Sequence, residues 1–309
     1  MTRNVFLFPG QGSQSVGMGK ALADKYPQAA EIFRQADEIL GWNLTKFMWE
    51  GPEEELRRTD RTQPALFVTS VVSHELLKAK GIVPQFAAGH SVGEYAALHA
   101  AGVFDFETGL RLVDARSRAM HEASVAHPGG MAAILGLEEP AVEVICQMVE
   151  AEHKGLVEVA NLNSPGQVVI SGESKALDLA IRLARMRGAI KVIPLAVAGA
   201  WHCYLMRSAE EKLTPVVHAS KMSDPQLTIF ANVTSEPVVT ADKVRELLIK
   251  QVCAPVRWAE SIRRIEAMGA DRYIEVGHGS VLSGLMKRIA KKAHVVRAGL
   301  PEEIDAIEP

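Results

Sequence analysis

Two rhythms of apolar residues alternate along the chain. Short unbroken runs, Val5-Phe6-Leu7-Phe8 and Phe86-Ala87-Ala88, read as strands buried on both faces. Between them apolar positions recur at helical spacing. Residues 19–41 carry Ala21, Leu22, Ala29, Ile32, Phe33, Ala36 and Leu40, which predicts one helix. Thr62-Gln63-Pro64 opens a second, running through Leu66, Val68 and Val71 to Leu77, apolar enough to be buried. Gln63 either caps this helix or lines a site, and the cap is the preferred reading. A helix from Thr108 carries Leu110, Leu112, Val113, Ala115 and Met120.

At His127-Pro128-Gly129-Gly130 the rhythm changes. Met131–Leu135, Leu156–Ala160, Gln167–Ser171 and Ile190–Val197 read as strands, with helices over 139–150 and 176–186. The order β-α-β-β-α-β is the ferredoxin-like pattern. Asn161, Asn163, Ser164 and Pro165 fall in the turn between its central strands, where asparagine serves the turn or reaches a cleft. The larger pattern then resumes: strands over 228–233, 272–276 and 295–297, and helices over 244–252, 258–268 and 281–289. The predicted fold class is α/β. A large α/β-hydrolase-like domain with a mostly parallel sheet spans residues 1–127 and 198–309, and a small ferredoxin-like domain spans 128–197.

Composition narrows the function classes. The 309 residues are 48% hydrophobic and 23% charged, enough for a sizeable core. A net charge of −3 argues against a nucleic-acid binder working through a basic surface. Three scattered cysteines suggest neither a metal site nor a disulfide framework, and fit a reducing cytoplasm. No apolar run is long enough for a signal peptide or a membrane span.

The candidate chemistry sits after the second strand. Gly89-His90-Ser91-Val92-Gly93 matches G-x-S-x-G between a predicted strand and a predicted helix. That order puts a serine on a tight turn at a helix N-terminus, where the N–H of Val92 and the helix dipole can stabilise an oxyanion. His90 adjoins the serine and orients the turn. Gly10-Gln11-Gly12 can supply a second N–H, although from this segment alone an ordinary strand-to-helix loop is the favoured reading. His202, in the loop where the chain returns from the small domain, is the best general-base candidate. His74, His99, His121, His153, His218 and His294 have nothing paired to them in the pattern. Arg116 follows Leu112 and Val113 by four and three residues, near the apolar face of its helix. A buried arginine needs an anionic partner, and a structural salt bridge and a carboxylate clamp both remain open.

These residues, taken in order, resemble a family. Gly10-Gln11-Gly12-Ser13-Gln14, Thr62-Gln63-Pro64-Ala65, Gly89-His90-Ser91-Val92-Gly93-Glu94, Leu112-Val113-Asp114-Ala115-Arg116, the run from Asn161 to Gly172, His202, Asn232-Val233 and Glu275-Val276-Gly277 are similar to motifs of the malonyl-CoA:acyl-carrier-protein transacylases of fatty acid synthesis and the related polyketide synthase acyltransferases. The resemblance runs from Phe8 to Arg288. It implies transfer of a malonyl group from malonyl-CoA to the phosphopantetheine thiol of an acyl carrier protein, by a ping-pong route through a serine ester. Ser91 is then the nucleophile and His202 its base. The third member is a main-chain carbonyl, matched here by Gln251. The N–H groups of Gln11 and Val92 form the oxyanion hole, and Arg116 clamps the malonyl carboxylate. Gln63, Asn161, Ser164, Trp201 and His90 are the remaining cleft candidates. No metal or cofactor is implied, and a monomer without nucleic-acid or membrane partners is expected. Lys287, Arg288, Lys291 and Lys292 offer a patch for an acidic carrier protein.

Two departures bear on the pathway. Trp201 stands where Phe or Ser is usual, and Gly277-His278-Gly279-Ser280 replaces Gly-Pro-Gly-Lys. The alternatives are a stand-alone polyketide acyltransferase and a hydrolase of carrier-protein thioesters. A non-catalytic carrier-binding module is disfavoured by the intact Ser91 and His202.

Overall fold

The computed structural model describes residues 3–152 and 154–309, so His153 lies outside the described residues. In chain order the strands are β1 (Asn4–Phe8), β2 (Phe86–Gly89), β3 (Gly129–Leu135), β4 (Val157–Ser164), β5 (Gln167–Glu173), β6 (Lys191–Pro194), β7 (Thr228–Phe230), β8 (Pro237–Val238), β9 (Arg272–Val276) and β10 (His294–Ala298). The helices before the small sheet are α1 (Lys20–Lys25), α2 (Pro27–Leu40), α3 (Leu44–Glu50), α4 (Glu53–Leu56), α5 (Thr59–Ala79), α6 (Gly93–Ala100) and α7 (Phe106–Ala126). Those that follow are α8 (Glu139–Ala151), α9 (Ser174–Met186), α10 (Arg207–Ala219), α11 (Ala241–Gln251), α12 (Trp258–Ala267), α13 (Val281–Ile289) and α14 (Pro301–Ala306).

The larger sheet has the order β10-β9-β1-β2-β7-β8 and is parallel except for β8. Residues Val5–Phe8 of β1 have no exposed surface, as a strand covered by helices on both faces requires. Because β1 lies between β2 and β9, the loops after all three strands open at one edge of the sheet. That carboxyl-end crevice is where open α/β sheets place their ligands. The α5 helix is buried on nearly every side, its polar Gln63 and His74 included, and packs against α7.

The second sheet is antiparallel, with the order β4-β5-β3-β6, and α8 and α9 cover it. Its core is a separate cluster that includes Ala132, Ile134, Ile145, Val149, Ile170 and Ala180. The β-α-β-β-α-β order read from the sequence is the order found. The two sheets meet where β4 reaches Val256: Val256 N donates to Ala160 O at 2.9 Å, and Leu162 N donates to Val256 O at 2.9 Å.

Several boundaries differ from the pattern. The helix expected over 19–41 is two, broken where Tyr26 turns extended and Pro27 starts α2 at its first position. The α5 helix starts at Thr59, a turn before Thr62-Gln63-Pro64, closed by Thr62 N on Arg58 O. β4 runs on to Ser164, so Asn161 and Asn163 are strand residues, not turn residues. The strand expected over 228–233 stops at Phe230, and that expected over 190–197 covers only Lys191–Pro194.

Candidate active site

β2 ends at Gly89, and the chain reverses into α6 within four residues. Ser91 sits at the reversal with φ +53°, a left-handed conformation that few serines adopt. Space at the turn explains its glycines. A Cβ on Gly89 would lie 2.0 Å from the Gly93 carbonyl, and one on Gly93 would lie 2.1 Å from Phe8 O. β1, the turn and α6 therefore close on one another only with glycine at both places. Asn232 fixes the turn from the next strand's end, accepting from Ser91 N at 2.8 Å and donating to Gly89 O at 2.7 Å.

His202 meets this serine from 111 residues away, its Nε2 lying 2.7 Å from Ser91 Oγ. Its Nδ1 lies 2.9 Å from the main-chain oxygen of Gln251. A carbonyl can only accept, so Nδ1 carries the proton and Nε2 is left to accept from the serine hydroxyl. Gln251 is the last residue of α11, and the N–H that would cap its carbonyl belongs to position 255, which is Pro255. The proline has no N–H, so this carbonyl is free for the imidazole. Burial pushes the His202 pKa down to about 3, and the Arg116 charge pushes the same way, so the ring is neutral at pH 7.

Arg116 is fully buried. Its Nη1 donates to Gln63 Oε1, and its Nη2 donates to Gln251 Oε1 at 2.9 Å and to Ser91 Oγ at 3.3 Å. The guanidinium also lies 5.7 Å from the Tyr95 ring centre. Among the described residues no carboxylate pairs with it directly. Asp114, the acid nearest in sequence, is taken by Arg118 at 2.9 Å. Glu94 is reached through the Gln251 amide, whose Nε2 donates to Glu94 Oε2 at 2.5 Å and to Ser91 O at 3.0 Å. Burial pushes the Glu94 pKa up to about 7, against the hydrogen bonds from Gln251 and Asn232.

A cavity of about 160 Å³ opens over the serine. Gln11, Gln63, His90, Asn161, Trp201 and His202 all line it with Ser91, while Val92 is buried at the head of α6. Gln63 is therefore not a helix cap: it lies inside α5 and faces Arg116. His90 Nε2 lies 2.8 Å from Asn163 Oδ1, which ties the turn to β4. Ser164 lies elsewhere, in a recess beside Glu138 and Glu260, because it is one strand residue past Asn163 and points to the other face. The Trp201 indole N–H has no acceptor among the described residues. Asn232 and Glu94 complete the network without having been singled out as site residues. Their positions inside matched motifs were the available signal.

Residues 5–301 match the acyl transferase domain family. The malonyl CoA-acyl carrier protein transacylase of Bacillus subtilis (strain 168) is 43% identical over 305 residues, covering 99% of this chain and 96% of that protein. The chain belongs to the malonyl CoA-acyl carrier protein transacylase family. It is an acyltransferase. A polyketide biosynthesis malonyl CoA-acyl carrier protein transacylase from the same organism is 40% identical over 293 residues, 94% of this chain and 98% of that one. Among solved structures, the malonyl CoA-acyl carrier protein transacylase of Coxiella burnetii superposes with a TM-score of 0.95 at 38% identity, covering 98% of this chain and 96% of that chain. A malonyl-transacylase solved in complex with a type II polyketide acyl-carrier protein gives 0.94 at 38% identity, covering 98% of each. No described helix of the acyltransferase is long and apolar enough to cross a membrane.

Proposed function

We propose that this acyltransferase moves a malonyl group from malonyl-CoA to the phosphopantetheine thiol of an acyl carrier protein, through an ester on Ser91. The observation that carries this reading is the buried Arg116. Its acceptors are two neutral amide oxygens and the reacting hydroxyl, so the cation beside Ser91 lacks a directly paired anion. A malonyl carboxylate supplies one, in the bidentate geometry a guanidinium favours.

In the first half-reaction His202 Nε2 takes the Ser91 proton as Oγ attacks the thioester carbonyl. The N–H groups of Gln11 and Val92 receive the developing oxyanion. The C–S bond breaks, and the proton on Nε2 leaves with the CoA thiol. In the second half-reaction the carrier-protein thiol gives its proton to Nε2 and attacks the ester, and Ser91 recovers its proton as it departs. The Gln251 carbonyl holds the ring tautomer throughout. The bound carboxylate also offsets the Arg116 charge that lowers the His202 pKa, so substrate binding makes the base stronger. Water competes for the ester, and the small cavity limits its access.

The steps use only this chain, the thioester malonyl-CoA and the thiol of the carrier protein, with no metal or cofactor. We read residues 128–197 as an inserted domain whose β4 lays Asn161 and Asn163 against the turn. The exposed Lys287, Arg288, Lys291 and Lys292 follow Val281, Leu282 and Leu285, which line the cavity, and we assign them to carrier-protein docking. Intact mass spectrometry after mixing with malonyl-CoA tests the central step. The wild type should gain one malonyl group and Ser91→Ala none. A malonylated alanine variant would remove Ser91 from the mechanism.

A further inference from the structure

At the end of α6 remote from Ser91, two histidines read from the sequence as unpaired come together. His74 lies on α5, eleven residues beyond Gln63, or about 16 Å along the helix. His99 lies in the last turn of α6. The two rings meet edge to face with centres 5.9 Å apart, and His74 Nδ1 is 3.3 Å from Glu75 Oε1. One ligating atom from each of His74, Glu75 and His99 lies within 4.8 Å of the others. His74 is 5% exposed and packed against Phe6 and Phe8. Its Nδ1 has no hydrogen-bond partner among the described residues, and neither has Nδ1 of His99. Two buried imidazole nitrogens without partners are costly, and the pair faces a carboxylate.

We propose that His74, Glu75 and His99 form a binding site for a divalent transition-metal ion of the zinc and cobalt class, with water in the fourth position. Two imidazoles and one carboxylate are a donor set these ions accept, and one open position is common in such sites. A tetrahedral ion holds its donors about 3.3 Å apart, so closure asks for side-chain shifts of about 1 Å. Lys78 Nζ, 3.6 Å from the other Glu75 oxygen, opposes a cation, while the Asp105 charge near His99 favours one. The ion would pin α5 to α6, the helices that carry Gln63 and follow Ser91.

Cobalt(II) titration of the chelator-stripped protein, followed by visible absorption and equilibrium dialysis, tests this. The wild type should bind one cobalt with the visible bands of a four-coordinate ion and no sulfur charge-transfer band, and its Tm should rise with cobalt. Glu75→Gln and His99→Gln should each weaken binding at least about tenfold, the scale on which even supporting residues of metal sites act. Both should keep the metal-free Tm and malonyl transfer of the wild type. The Glu75 side chain is about one-third exposed, so its variant remains informative if the histidine variant fails to fold. Undiminished cobalt binding in Glu75→Gln, absence of the visible bands, or a sulfur band that places the ion on a cysteine would each overturn the proposal.

Discussion

The chain builds its two cores on opposite terms. The core under the small antiparallel sheet is built from aliphatic side chains, with Ile134, Ile145, Val149 and Ile170 packed among alanines, valines and leucines. The core around the parallel sheet surrounds Gln63, Glu94, Arg116, Asn232 and Gln251, all nearly or fully buried. Burying such groups is unfavourable unless each finds partners, and here each serves as partner to another. Gln251 alone joins Arg116, Glu94 and Ser91 through its side chain and His202 through its main chain. The first core supplies a shape. The second spends part of its stability on a fixed arrangement of charge and dipoles.

That contrast predicts that substitutions in the polar core act on rate, and those in the apolar core on stability. The largest effect after loss of the nucleophile belongs to His202→Ala, which should slow single-turnover acylation by about 10²–10⁴-fold. An unchanged rate would transfer the base role to another group. Next comes Arg116→Ala. Charge-assisted bonds to one carboxylate contribute about 1.5–3 kcal/mol, so kcat/KM for malonyl-CoA should fall about 10- to 150-fold while that for acetyl-CoA falls less. Equal losses on both thioesters, with a lowered Tm, would make Arg116 a structural residue. The smallest effect on rate is expected for Ile170→Ala. Denaturant unfolding should show a loss of about 2–5 kcal/mol, with kcat/KM per folded molecule unchanged. A comparable drop in rate would show that the two cores are not independent.

The same division governs what the sequence reveals. The Ser91 turn is legible because a single pentapeptide between a strand and a helix contains all its steric demands. His202 is less so: its loop marks a junction, but nothing local says that it faces a serine 111 residues away. The Gln251 carbonyl is invisible to side-chain reasoning and came from resemblance. Helical spacing places Arg116 near the apolar face, but that Asp114 pairs with Arg118 and that Glu94 lies behind the Gln251 amide is visible only in the structure. The β-α-β-β-α-β order was readable from periodicity, whereas the split of α1 from α2 was signalled by Pro27 and missed. Asn163 and Ser164 show the remaining difficulty. An asparagine-rich segment reads as a turn, but β4 continues through it because Leu162 pairs with Val168 and Ser164 with Gln167 of β5, while Val256 bridges at Asn161 on the other side.

Pro255 has an evolutionary corollary. In many Ser–His sites the imidazole is held by a carboxylate, and one codon change can delete it. Here the acceptor is a peptide oxygen that any amino acid at position 251 would supply, exposed because the residue four places on is an imino acid. The side chain at 251 is thereby released to specialise in contacts with the arginine and the glutamate. Mutational drift there can retune substrate handling while the orientation of the base is inherited unchanged.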